Sequence, residues 1–220
     1  MKKIQTGFTL IELAIVLVII GLLLGGVLKG QELINSAKAK NIASDLKNIQ
    51  IFIYGYQDKF RAIPGDDANA SVHINGATNP TTPAGTLNNS QINGNWLNPA
   101  ATDESFLFWQ HVRLAGFATG PTNVADVNYL PRNADSGRIG VQSLTAAFVT
   151  ITNMTGLYVV CSENILGRLA KQIDTNLDDG ETSTGSFRAI GAVGAAGVGT
   201  NAITSATIGD GSPYTVCLAF

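Results

Sequence analysis

The sequence predicts an α+β fold, a long N-terminal helix packed on a small antiparallel β-sheet, and three observations lead there. An apolar run opens the chain. An apolar stripe at helical spacing carries on from it to Phe60. Short alternating apolar segments then recur only in the second half of the 220 residues.

The opening run comes first. Lys2 and Lys3 precede it, and positive charge there holds this end in the cytoplasm while the rest crosses. From Phe8 to Leu28 the one charged residue is Glu12. About 21 residues rising about 1.5 Å each make a helix of about 31 Å, the thickness of a hydrocarbon layer. Three readings compete: a plain single-pass anchor, a secretory signal cut near Gly25, Gly26 or Gly30, and a short leader cut ahead of the run. Glu12 separates them. A carboxylate inside an anchor or signal core costs about 2.5–3.5 kcal/mol, and neither of those two readings has a use for it.

The segment G-F-T-L-I-E, Gly7 to Glu12, resembles the processing site of type IV prepilins and pseudopilins. The resemblance implies that a prepilin peptidase cuts between Gly7 and Phe8 and methylates the new amine of Phe8. It implies further that Glu12, fifth in the processed chain, meets the amine of a neighbouring subunit. Physics agrees, since a buried carboxylate is tolerated where a partner charge is supplied, as a packed helical bundle can do. Residues 1–7 are then a leader, 8–28 the transmembrane and filament-core half of the helix, 29–63 its second half, and 64–220 an exported head. The pilin-like family fold, a long helix lying across a sheet, matches the α+β order of elements. Many pilins carry a proline near the position of Lys29. Here none precedes Pro64, so any kink must come from Gly25, Gly26 and Gly30.

Beyond the membrane the helix continues. Leu46, Ile49, Ile53, Tyr56 and Phe60 fall on one face, extended backwards by Ile42 and Ala39, and Pro64-Gly65 stops it. Residues 68–101, rich in Asn, Gly, Thr, Ala and Pro, read as a long surface loop. A short helix follows, with Phe106, Trp109 and Val112 on one face and Gly116 as its stop. Arg138–Gln142 reads as a strand. Phe148–Thr152 and Leu157–Cys161 read as a β-hairpin about N-M-T-G. Leu166–Ile173 is a further short helix, and Ser186–Ile190 and Tyr214–Ala219 are later strands.

Charged residues make up 14% of the chain and the net charge is −2, so no basic face points to nucleic acid as a partner. The two cysteines, Cys161 and Cys217, have neither metal-ligand nor C-x-x-C spacing. They are one disulfide if exported and two buried thiols if cytosolic. The pilin resemblance, in which the C-terminal region is often pinned this way, implies the disulfide. His73 and His111 are the only histidines, and a lone helical histidine is more often structural than catalytic. No G-x-S-x-G, Walker A, H-E-x-x-H or C-x-x-C motif occurs, and no enzyme is predicted. Asp66 and Asp67 read as an acidic turn.

One acidic stretch stands apart. D-T-N-L-D-D-G-E sets Asp174, Asn176, Asp178, Asp179 and Glu181 in a turn-rich segment with oxygen side chains near a glycine, as in loops that wrap Ca²⁺. It departs from an EF-hand by one residue before the glycine and lacks the distal glutamate. Calcium is the one cofactor this suggests, against a solvated helix end.

The resemblance thus implies a structural subunit, anchored in a bacterial inner membrane with its head in the periplasm and later part of a periplasmic or extracellular filament. Its partners would be copies of itself or other pilins or pseudopilins, the prepilin peptidase, an inner-membrane assembly platform, and lipid before assembly. A processed chain of about 213 residues, longer than many major subunits, favours a minor one. The alternatives are a type II secretion pseudopilin, a DNA-uptake filament subunit, a monomeric membrane-tethered binding module and an exported enzyme.

Overall fold

The computed structural model describes residues 9–144, 151–191 and 201–220. The chain divides into two compact units, Met1–Lys38 and Ala39–Phe220. The architecture is α+β and pilin-like, a long N-terminal helix with a small antiparallel sheet.

Helix α1 spans Leu10–Phe60 and runs unbroken through Gly21, Gly25, Gly26 and Gly30, so these glycines introduce no interruption. In the first unit every side chain from Leu10 to Leu28 is exposed, Leu10 by 89% and Leu22 by 73%. Water opposes this, since a Leu or Ile side chain withdrawn from it gains about 1.5–3 kcal/mol.

In the second unit the helix buries one stripe: Ala39, Ile42, Ala43, Leu46, Ile49, Ile53 and Tyr56. The helix ends at Phe60, and Arg61 turns the chain with a positive φ of 57°. The next turn is buried from Ile63 to Asp67. Gly65 has φ +93°, and a Cβ there would collide with the carbonyl of Glu104.

Helices α2 (Ala70–His73), α3 (Glu104–Leu114) and α4 (Gly167–Leu177) accompany strands β1 (Ile139–Ser143), β2 (Tyr158–Leu166), β3 (Phe187–Ile190) and β4 (Pro213–Ala219). The sheet order is β1-β2-β4-β3, antiparallel throughout. Alternation sorts the side chains. Val160, Val216, Leu218, Phe187 and Ala189 join the core that contains the α1 stripe, Phe108 of α3 and Leu169 of α4. Val159, Cys161, Ile190, Cys217 and Ala219 face the other way, under Trp96, Ile151 and Met154. Both faces are therefore covered.

Two expectations are corrected. The hairpin about N-M-T-G is not the pairing that β2 makes: Tyr158–Ser162 has β1 on one edge and β4 on the other. Alternation marks a strand without naming its neighbour. Residues 148–150 of that expectation lie outside the described residues. The stretch 68–101 is not simply a surface loop, because Ala70, Ala77, Ile92 and Trp96 are buried. Backbone groups tie it down. Ser143 N–H donates to the Ile92 carbonyl (2.8 Å), and Trp96 N–H donates to Gln142 Oε1 (3.2 Å).

Candidate functional site

Three places carry the residues singled out from the sequence. The first is the N-terminal end of α1. Gly7 and Phe8 lie outside the described residues. Glu12 is exposed in the first turn, and its Oε2 accepts from both the backbone N–H of Thr9 (2.8 Å) and its hydroxyl (2.7 Å). The Glu12 N–H in turn donates to Thr9 Oγ1 at 3.3 Å. This is a reciprocal capping box, in which two backbone donors at the helix start find partners. The T-x-x-E spacing of Thr9 and Glu12 is the sequence signal for it, one not used among the expectations for Glu12. Within the single chain Glu12 therefore already has local work. The helix it opens is, among the described residues, the one long and apolar enough to cross a membrane.

The second place is the strand pair β2–β4. Cys161 and Cys217 face each other in register, their Cα atoms 4.1 Å apart, and they form a disulfide that is wholly buried. It closes a long loop, and in the chain-entropy picture contributes up to about 4 kcal/mol. Nearby, the acidic segment at the end of α4 folds back on itself. Asp178 Oδ2 accepts from the N–H groups of Ser186 and Phe187, the latter at 2.9 Å. Gly185 lets the chain pass, since with φ +67° a Cβ there would run into the Asp178 carboxylate. Asp179 accepts from Glu181 N–H (2.9 Å) and from the Thr184 hydroxyl (2.7 Å).

Glu181 is turned elsewhere, its Oε1 taking the N–H of Ser205 (2.8 Å) and the hydroxyl of Ser183 (2.9 Å). Asn176 is exposed on the last turn of α4. One carboxylate oxygen from each of Asp174, Asp178 and Asp179 lies within 4.8 Å of the other two. Burial, reinforced by the charges of Asp179 and Asp178, pushes Asp174 up to about 7.

The third place was not foreseen as a site. Asp66, Asp67, Glu104 and His111 are buried together with the Tyr56 ring. Asp67 Oδ2 accepts from the Tyr56 hydroxyl (2.8 Å) and lies 2.7 Å from His73 Nδ1. Asp66 accepts from Ser90 N–H (2.7 Å), and Glu104 accepts from Asn93 N–H (2.7 Å). Asp66 and Asp67 are thus not simply a solvated acidic turn. They and Glu104 anchor the polar stretch 68–101 by its own amides. Burial pushes Asp66 up to about 6 and Glu104 up to about 7.

His111 accepts from Gly65 N–H at Nδ1 (3.0 Å) and has Nε2 at 2.8 Å from the Thr78 carbonyl, an acceptor to which Nε2 must donate its N–H. The ring is therefore neutral, in line with burial lowering its pKa. Both histidines hold loops in place. No spacing rule finds this cluster, because its members come from four separate stretches of chain.

A model of the prokaryotic N-terminal methylation motif matches residues 2–28. Comparison with curated proteins finds no match. Comparison with solved structures finds none either.

Proposed function

We propose that this chain, whose residues 2–28 carry the cleavage and methylation motif of type IV prepilins, is a structural subunit of a type IV pilus-like filament. Its role in that filament is a minor pilin or pseudopilin. Prepilin peptidase removes residues 1–7 and methylates Phe8. The apolar half of α1 holds the subunit in the inner membrane, with the head in the periplasm, until an assembly platform extracts it. That half then packs against the helices of other pilins.

The observation that carries this reading is the coincidence of the motif with a helix whose apolar side chains, Leu10 to Leu28, are all exposed. Lipid first and sister helices afterwards are the surroundings that remove this surface from water. Glu12 gives the packing a register by meeting a neighbour's N-terminal amine, a use of charge in apolar surroundings that requires its partner to be present.

The capping box makes the test sharper than a simple truncation. Glu12→Ala removes both the charge and the cap, whereas Glu12→Gln keeps a side-chain acceptor for Thr9 N–H and removes only the charge. Both variants are expected to insert in the membrane normally. Both are expected to fall out of filaments recovered by shearing and quantified against membrane-bound subunit. Normal incorporation of Glu12→Gln would remove the charge-pairing role while leaving the cap.

A further inference from the structure

We infer that the end of α4 and the turn after it form a calcium site built on Asp174, Asp178 and Asp179.

Three acidic side chains near one another are common on protein surfaces and mean little alone. Asp174 is different. It is 0% exposed, and neither of its carboxylate oxygens has a hydrogen-bond partner. The Gly180 N–H favours its charged form without reaching hydrogen-bond geometry. Buried polar atoms in folded proteins are nearly always partnered, and an orphaned buried carboxylate asks for a reason. Here the orphan belongs to the group of oxygens contributed by Asp178 and Asp179, all within 4.8 Å of one another. Calcium binds oxygen at about 2.3–2.6 Å, so oxygens across one ion stand about 4.6–5.2 Å apart. The mutual separations of the three carboxylate oxygens do not exceed the span of one such ion. Magnesium demands near-ideal octahedral geometry and keeps several waters beside one or two carboxylates, so a set of three protein carboxylates suits calcium better.

The surrounding chain holds two of the ligands ready. Asp178 is fixed by the amides of Ser186 and Phe187, and Asp179 by Glu181 N–H and the Thr184 hydroxyl. Asp174 waits at the last turn of α4 with both oxygens unused. A divalent cation would satisfy it and cancel the repulsion among the three. It would also tie α4 to the start of β3, where Asp178 already holds Phe187. Asn176 and Glu181 are left outside this ligand set, since the grouped oxygens are those of the three aspartates and the Glu181 carboxylate is directed to Ser183 and Ser205.

The test uses the full chain in detergent, stripped with EDTA and titrated with calcium chloride, with magnesium chloride as the comparison. Thermal unfolding and calorimetric titration are the readouts. Wild type is expected to bind one calcium per chain. Its melting temperature is expected to rise by about 5–10 °C at a calcium concentration 100 times Kd. Asp174→Asn is expected to lose that rise while melting no lower than wild type in EDTA, so the two proteins exchange rank when calcium is added. Asp179→Asn, at an exposed position that tolerates substitution, is expected to weaken binding at least tenfold and covers the case in which Asp174→Asn does not fold. The inference is overturned if wild type shows no calcium-dependent rise at millimolar calcium. It is equally overturned by an undiminished rise in the folded variants, or by magnesium acting as strongly as calcium.

Discussion

The two halves of α1 are one helix with opposite habits. From Ala39 to Tyr56 it buries a single stripe and shows its polar faces to water, as a helix covering a sheet must. From Leu10 to Leu28 it is apolar all round and buries nothing. The second half is satisfied by its own chain. The first half needs surroundings that the single chain does not supply, and it is this half that carries the methylation motif at residues 2–28. On the proposed reading, identical backbone geometry serves stability in one stretch and assembly in the other, and the pattern of apolar residues decides which.

Substitutions along the helix should separate those roles. Leu46→Ala, in the buried stripe, is expected to destabilise the head by about 2–5 kcal/mol, read as a fall in the denaturation midpoint of the detergent-solubilised chain. Leu17→Ala, on the exposed half, is expected to leave that midpoint unchanged; an equal fall for both would erase the distinction. Close behind comes the disulfide. Replacing Cys161 and Cys217 together by Ala is expected to cost up to about 4 kcal/mol in the same measurement and to leave membrane insertion untouched.

A smaller effect comes from pH. Asp66, raised to about 6, and Glu104 and Asp174, both raised to about 7, keep protons in the folded head that the unfolded chain releases near pH 4. The folded state therefore binds more protons across this interval, and stability falls as pH rises from about 4 to 7, levelling off above. Asp179, exposed, and Glu181, half-buried, are held low by hydrogen bonds to their carboxylates and work the other way. The melting temperature in EDTA is expected to be higher at pH 5 than at pH 8. Glu104→Gln is expected to flatten that slope by removing one of the three contributors. A melting temperature rising from pH 5 to pH 8 would contradict the burial assigned to these acids.

Much of this comparison was legible in the amino-acid order. The stripe from Ala39 to Tyr56 announced itself by 3–4 spacing, and Cys161 and Cys217 lay in apolar segments that became β2 and β4. What escaped was tertiary. Ile92 and Trp96 are single apolar residues among polar ones, with no period to reveal that they are buried. Asp66 and Glu104 look like surface acids until the amides of Ser90 and Asn93 are brought to them. The partner of β2 depended on which strand arrived at its edge. The capping box of Thr9 and Glu12 was readable and was overshadowed by the longer-range role expected of the same glutamate.

The central claim, that the exposed half of α1 is kept and put to use in assembly, is tested most directly by mass analysis of the N-terminus of the protein recovered from cells. The account predicts a chain that begins at Phe8 with a methylated amine. A chain that still carries residues 1–7, or one that starts after Gly25, Gly26 or Gly30, would contradict it.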